Sequence, residues 1–579
     1  GLVLTGEYSY SFRNREYNNR SSNVPYSQYA GVTEVLTTSN FSNFYQEQHY
    51  RVQNHNVNLY ATYKNTFGNV HNLQITAGTQ YETYQSRSLK VKRLGVLSDN
   101  LDDFNLATGE VATLTGGVSE YATLGYFGRV NYDFSSKYLI ELSGRFDGSS
   151  RFKANNRWGF FPSASLGWRA SEEKFFKPLE NIINNAKLRF SVGSLGNQQV
   201  SNYAYIDEID TSYKLKDYTI DGSSTLGYAQ ELAPTSSNLT WETITTYDLG
   251  LDLSFLNNRL TLTGDVYIRD TKDMLLQGVN LPAVYGAASP MINGADMSTK
   301  GWEIYVRWND KFNLMNKPFN YQLSAGIGDY KTKITKYSNP TKQLNNYYEG
   351  QTLGEIWGYT TGGLFKSDEE AASYGVDQSF LNQRINASVG EPGLRAGDLK
   401  YLDIDGDNVI STGANTADNP GDRRVIGNTL PRYSYTFSMN AQWNGFDLSA
   451  FFQGIGHQDW YPGNYSMSFW GPYCRPYASF IPENFMSDVW SETNPNAYFP
   501  RPRGYEATNE NYSPGSANDR YLQNIAYLRL KNLTIGYTLP VWKKLFEELR
   551  VYVSGENLFY FSPLKKHSKY IDPEQAKSI

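Results

Sequence analysis

Residues 121–152, YATLGYFGRVNYDFSSKYLIELSGRFDGSSRF, set the tightest limit on what this chain can fold into. Read at period two, Leu124, Tyr126, Val130 and Tyr132 share one face, while Gly125, Phe127, Arg129 and Asn131 share the other. After the polar turn Phe134-Ser135-Ser136-Lys137 the alternation resumes, with Tyr138, Ile140, Leu142 and Phe146 against Glu141, Ser143, Arg145 and Asp147. The pattern is a β-hairpin with one oily face, each arm about ten residues long, the length with which a tilted strand crosses a bilayer. Charges at mid-strand are costly against lipid and cheap against water inside a barrel. The oily face is therefore expected to meet lipid, and the charged face a wet lumen.

The same alternation recurs along the chain in about 15 segments, more than the roughly ten strands that a twisted open sheet accommodates. The predicted fold is all-β, a transmembrane antiparallel β-barrel, with residues 1–579 as one barrel domain. Short connections (134–137, 256–259, 443–446) alternate with long ones near 87–118, 199–240, 274–296, 333–431 and 458–524, the asymmetry of outer-membrane barrels. Aromatic residues Tyr132, Tyr138, Trp168, Phe255, Trp308, Phe319, Trp443 and Tyr537 mark the short-turn ends as an interfacial girdle. A small helix is expected over 171–184 with Phe175, Phe176 and Leu179 on one side. A bulge, or a strand rising above the membrane, is expected where the apolar parity slips near Lys531 and Asn532.

Composition agrees: 47 Tyr, 30 Phe and 11 Trp accompany a mean hydropathy of only −0.56, as strands greasy on one side would give. No apolar run reaches the roughly 18 residues of a membrane helix. A net charge of −5, with Lys and Arg scattered, excludes the footprint of a nucleic-acid binder. The single Cys474 allows no disulfide framework. A soluble multi-sheet β protein is the alternative, and it would bury the oily stripes against a second layer.

Several stretches carry a family resemblance: YFGRVNYDFSSKYLIELSGRFDGSSRF, WGFFPSASLGWRASEEKFF, KLRFSVGSLGNQ, GDLKYLDIDGDNVIS, RRVIGNTLPRYSYTFSMNAQWNGFDLSAFFQG, YLRLKNLTIGYTLP and LRVYVSGENLFYFSP. In this order they resemble the barrels of SusC/RagA-like TonB-dependent outer-membrane transporters. The resemblance implies a barrel of about 22 strands, of which this chain supplies part, without a counterpart of the plug, the TonB box, the first strands or the closing strand. It further implies import of bulky nutrients, oligosaccharides or peptides, with a SusD-like surface lipoprotein and TonB as partners and outer-membrane lipid around the wall. A passive or surface-binding barrel is the alternative.

Two candidate sites lie in the long loops. Asp403, Asp405 and Asp407, at alternating positions in DIDGDN, resemble the start of a calcium loop, in which hard oxygen ligands converge on a hard cation. Asn408 stands where such loops carry Gly and Ala414 where they carry a bidentate Glu; Asp422, before Arg423, is expected to complete a Ca²⁺ site. The plainer reading is an Asx-rich turn. The second candidate is aromatic: Trp357 and Tyr359 in one loop, and Trp460, Tyr461, Phe469, Trp470, Tyr473 and Tyr477 in another, are expected to stack on sugar rings. No enzyme is expected: GxSxG, HExxH and phosphate-loop motifs are absent, and His49, His55, His71, His457 and His567 show no ligand spacing.

Overall fold

The computed structural model describes residues 1–22, 31, 43–97, 102–207, 209–220, 224–231, 234–278, 281–282, 284, 288–381, 393–464, 466–474, 481, 483, 485–503, 508, 513–540 and 546–578. In chain order the strands are β1 (Leu2–Ser21), β2 (Phe44–Phe67), β3 (His71–Leu94), β4 (Val111–Phe134), β5 (Tyr138–Ser149), β6 (Trp158–Arg169), β7 (Ile183–Asn197), β8 (Ile209–Ile220), β9 (Ser224–Glu231), β10 (Glu242–Phe255), β11 (Leu260–Gln277), β12 (Met291–Leu314), β13 (Lys317–Tyr337), β14 (Glu355–Tyr359), β15 (Thr361–Leu364), β16 (Leu399–Tyr401), β17 (Arg423–Asn428), β18 (Arg432–Trp443), β19 (Phe446–His457), β20 (Asp459–Trp460), β21 (Gln523–Asn524), β22 (Tyr527–Leu539) and β23 (Leu549–Phe561).

Fifteen of these join in one sheet in the order β1-β2-β3-β4-β5-β6-β7-β10-β11-β12-β13-β18-β19-β22-β23. Each pairs with the sheet strand before and after it, which is the meander of an up-and-down barrel wall. Among the described residues, β1 and β23 end the order without pairing to each other. The remaining strands form two-stranded sheets, β8-β9, β14-β17, β15-β16 and β20-β21, within the long connections.

The turn residues explain the register. Asn444-Gly445 between β18 and β19 takes φ of 48° and 89°, and Ser135-Ser136 takes 53° and 57°. Two successive positive φ values match the right-handed twist of the flanking strands, which is why the two-residue loop at Asn444-Gly445 and the three-residue loop 135–137 close their hairpins. Across β4 and β5, Tyr126 then faces Phe146, Val130 faces Leu142 and Tyr132 faces Ile140, while Asn131 faces Glu141 and Gly125 faces Asp147. The two stripes of the hairpin stay separate over its whole length. The oily stripe is bare, with Leu142 52% and Tyr126 51% exposed. No second layer of the described residues covers it.

Three expectations need correction. First, β2, β3 and β4 each run 24 residues, so the connection expected over 87–118 narrows to 95–110. The strands around the 274–296 and 333–431 connections also run further, leaving 278–290 and 338–431. Above the apolar band polar residues interrupt the stripe, as at Gln85 and Arg87 on one face with Ser86 and Ser88 on the other, and backbone pairing continues without a steady apolar period to reveal it. Second, the loops hold strands of their own, including the hairpin β8–β9 inside 199–240. Third, the helix expected over 171–184 is two 3₁₀ turns, Ala170–Glu172 and Lys174–Leu179, and β7 has begun by Ile183. Pro178 lies inside the second turn and supplies no N–H to extend it. The bulge near Lys531 is present: Phe451 pairs with Asn532 and Phe452 with Leu530, and the register to β23 shifts at the same place.

The chain packs as two compact units, one of residues 1–166, 191–245 and 272–294, the other of 167–190, 246–271 and 295–579. The first contains a small core of Phe152, Phe161, Val200, Leu239 and Trp241. The second contains the loop core described next.

Candidate functional site

The polar face of the wall is built from ion pairs laid over glycines. In the second unit, Arg189 on β7 donates to Asp252 at 2.8 Å and to Asp265 at 2.8 Å. A Cβ on Gly250 would stand 2.3 Å from the Asp265 carboxylate and 2.5 Å from the Arg189 guanidinium. Nearer β23, Arg550 grips Asp447 with two bonds of 2.8 and 2.6 Å, and a Cβ on Gly536 would meet both groups. The first unit repeats the arrangement with Arg145, Asp147 and Gly125. Each missing side chain leaves room for a guanidinium and carboxylate to lie flat along the sheet, with both charges satisfied and the passage left open.

Close to the short turns of the second unit this face opens into a recess of about 710 Å³. Its floor is a patch of carboxamides and hydroxyls, with Gln322 opposite Asn440, Asn320 opposite Gln442 and Asn440 opposite Ser449. Lys311, and Arg259 paired with Asp310 at 3.4 Å, stand at its edge. Neutral donors and acceptors in such density hold water or a hydroxyl-rich or amide-rich ligand without committing to a charge.

Outside the wall, the loops of the second unit enclose an aromatic core. Tyr359, Trp460, Phe469, Trp470 and Tyr473 pack there with Phe499 and Tyr521, and Tyr461 packs against them. Trp470 is fully buried, its ring 4.8 Å from Phe469 and 5.2 Å from Tyr521, and its indole N–H donates to the Gly463 carbonyl. Tyr461 Oη donates to the Pro514 carbonyl at 2.7 Å, and Tyr473 Oη to that of Pro500 at 2.6 Å. Burial pushes the Tyr359 phenol up to about 12. This corrects the expectation of a sugar platform: Tyr359, Trp460, Tyr461, Trp470 and Tyr473 spend their ring faces on one another and have none to offer a glycan. Trp357, on β14 two residues before Tyr359, is half-buried. Tyr477 lies outside the described residues.

The acidic turn divides. Carboxylate oxygens of Asp403, Asp405 and Asp422 lie within 4.8 Å of one another, and Asp407 is not among them. Asp407 accepts from the Val409 N–H at 2.8 Å, a contact within the turn. Asp403 accepts from the backbone N–H groups of Asn408 and Gly406, which hold its carboxyl below the usual carboxylate range. Asp405 moves the other way, raised first by desolvation and then by the Asp422 and Asp407 charges. Asp422 is buried and bridges Ile404 N–H and Ser411 N–H, each at 2.8 Å, tying the turn to the following chain. Three hard oxygens with one carboxyl under like-charge strain form a donor set suited to Ca²⁺.

Residues 2–388 match a family model described as TonB dependent receptor-like, beta-barrel. The chain belongs to that family. Like other TonB-dependent receptor barrels, it resides in the bacterial outer membrane, which gives its bare stripes their solvent. TonB-dependent receptor P3 of Formosa agariphila is 29% identical over 525 residues, covering 87% of this chain and 47% of its own length. TonB-dependent receptor SusC of Bacteroides thetaiotaomicron is 27% identical over 478 residues, covering 79% and 42%. This TonB-dependent receptor chain thus spans about half the length of the curated relatives it matches. The RagAB peptide transporter shares the fold, with a TM-score of 0.76 at 22% identity over 99% of this chain and 57% of that one.

Two parts of the receptor's site escaped the sequence reading. The Arg–Asp–Gly recesses are signalled only by glycines on the charged parity, such as Gly250 between Asp248 and Asp252. Residues 572–579 read as a polar tail, yet Ala576 is buried in the loop core together with Leu564 and Ile571 ahead of it. Asp572 and Glu574 clamp Arg529, and Glu574 also pairs with Lys531 at 2.7 Å. The one visible signal is the spacing of Leu564 and Ile571 among charges.

Proposed function

We propose that this chain is the wall and outer loop layer of an energy-coupled importer of bulky nutrients, with oligosaccharides as the substrate class. The observation that carries the reading is the polar face, whose Arg–Asp pairs lie flat over glycines and lead to a floor of carboxamides and hydroxyls. Such a surface passes a large hydroxyl-rich solute by exchanging hydrogen bonds one at a time. A peptide offers the same exchange through its amides, and it is the second reading because amide-to-amide pairing suits Gln322, Asn440 and Gln442 equally well. The energy comes from TonB, and a SusD-like lipoprotein seats over the loops as a lid. No covalent chemistry is assigned to the chain itself.

The test is uptake by cells carrying the whole transporter. Labelled oligosaccharide should accumulate, and accumulation should collapse when the proton gradient is removed; peptide uptake instead would select the second reading. Entry indifferent to the gradient would replace the importer with a passive barrel. Asp403, Asp405 and Asp422 would hold a structural Ca²⁺ that fixes the loop under the lid. Calorimetric Ca²⁺ titration, with Asp405→Ala as control, checks this; equal heats from both proteins would reject it.

A further inference from the structure

The outer surface of β2 and β3, within the first unit, carries a pair of like charges that an ordinary wall would avoid. Going up from the short turn, the outward rungs run Tyr63 opposite Ile75, Ala61 opposite Ala77, Leu59 opposite Thr79 and Val57 opposite Tyr81. They then turn polar with His55 opposite Thr83 and Gln53 opposite Gln85, and the next rung sets Arg51 directly opposite Arg87. Like charges facing each other on one side of a sheet destabilise it. Among the described residues neither arginine has a carboxylate partner. The acids on this face are engaged elsewhere: Glu120 accepts from Gln85, Glu16 from Asn18, and Glu47 lies 3.7 Å from His49.

Depth gives the pair a meaning. A strand tilted by 35–45° climbs about 2.6 Å per residue, so an apolar band of about 25 Å that starts near Leu73 ends about ten residues later, near Thr83. Arg87 stands four residues beyond, about 10 Å higher, in the layer of lipid headgroups. Arg51 lies 5.3 Å over the Phe12 ring, and exposed Val118 and Leu89 flank Arg87. Just below, Gln53, His55, Gln85 and Glu120 line a recess of about 430 Å³.

We propose that Arg51 and Arg87 bind the phosphate of an outer-leaflet membrane lipid, with the recess taking the polar part of its headgroup. A phosphate between two guanidinium forks turns their repulsion into two charge-assisted bridges. This assignment is independent of what the barrel imports.

The experiment reconstitutes the protein in phosphatidylcholine nanodiscs and titrates monophosphoryl lipid A or its dephosphorylated counterpart, with bound lipid counted by native mass spectrometry. Heat-modifiable gel mobility certifies folding of each variant. The unaltered protein should prefer the phosphorylated lipid. An Arg51→Gln/Arg87→Gln variant should lose roughly thirtyfold in affinity, and Arg51→Lys/Arg87→Lys should keep most of it. Equal binding of the two lipids by the unaltered protein overturns the proposal even if the Gln variant fails to fold. So does unchanged lipid affinity in a folded Gln variant, including the case in which it alters self-association between copies of the chain instead.

Discussion

The wall and the loop layer use the same aromatic residues in opposite ways. On the wall, Tyr126, Phe146 and Trp158 stack with one another, with ring centroids 4.9 Å apart for Phe146 and Trp158, and all three remain exposed. In the loops, Trp470, Phe499 and Tyr521 are sealed from solvent, with Trp470 edge to face against the other two and those two stacked on each other. The wall has no interior of its own because backbone pairing holds it together and lipid completes it. The loops stand in water, where long irregular segments persist only by building a core. A ring in this chain therefore marks either a membrane boundary or a miniature hydrophobic core, according to which side of the lipid it stands on.

Substitutions can break that contrast in order of size. Trp470→Ala should cost the loop layer about 3–5 kcal/mol, since it empties the middle of the core. Hydrogen exchange should show loops 458–526 opening while β18 and β19 keep their protection; simultaneous loss in the wall would merge the two regions. Leu142→Arg, on the bare stripe of β5, should cost about 2–4 kcal/mol in a bilayer. A folding titration into vesicles measures it, and a neutral result would mean that the stripe does not see lipid. Gly536→Val should cost about 1–3 kcal/mol by overpacking against Asp447 and Arg550, with the midpoint of the same titration as readout. Gly555→Val, on the opposite parity, would first meet the flexible Leu558 side chain and should cost less.

The smallest effect is on pH. The Asp403 carboxyl is held below its ordinary value, so its contribution to the turn is complete above about pH 4 and fades as pH falls through its lowered folded value. Asp405 is raised, so it takes a proton first, and that relieves its repulsion with Asp422 and Asp407. Carboxyl chemical shifts followed by NMR should therefore titrate Asp405 ahead of Asp403. Saturating Ca²⁺ should move Asp405 down to the ordinary range or below it; no movement would leave these carboxylates as a turn and nothing more.

How much of this was legible depended on whether lipid or protein supplied the apolar partner. Lipid reads every outward residue alike, so Leu124, Tyr126, Val130 and Tyr132 announce their face through period two alone, and the slip at Lys531 announces its bulge. The loop core has no such period. Trp470 meets Tyr521 some fifty residues away, and Ile571 joins them from beyond β23. Nothing local separates a tryptophan that fills a core from one that stacks on a sugar. The upper halves of β2, β3 and β4 were hidden for a related reason, since strands above the hydrocarbon layer need no continuous greasy stripe. In the acidic turn the spacing displays the Asp residues but not which of them gather: Asp403, Asp405 and Asp422 do and Asp407 does not, because that depends on how the turn closes.

The central claim is that the two stripes of each wall strand see different solvents. Spin labels placed singly at Ile140, Glu141, Leu142, Ser143, Arg145 and Phe146, in a Cys474→Ser background reconstituted in vesicles, test it most directly. Oxygen, which concentrates in lipid, should relax the labels at 140, 142 and 146, and a water-soluble nickel chelate should relax those at 141, 143 and 145. Uniform access along the strand, or alternation of the opposite phase, would contradict the account.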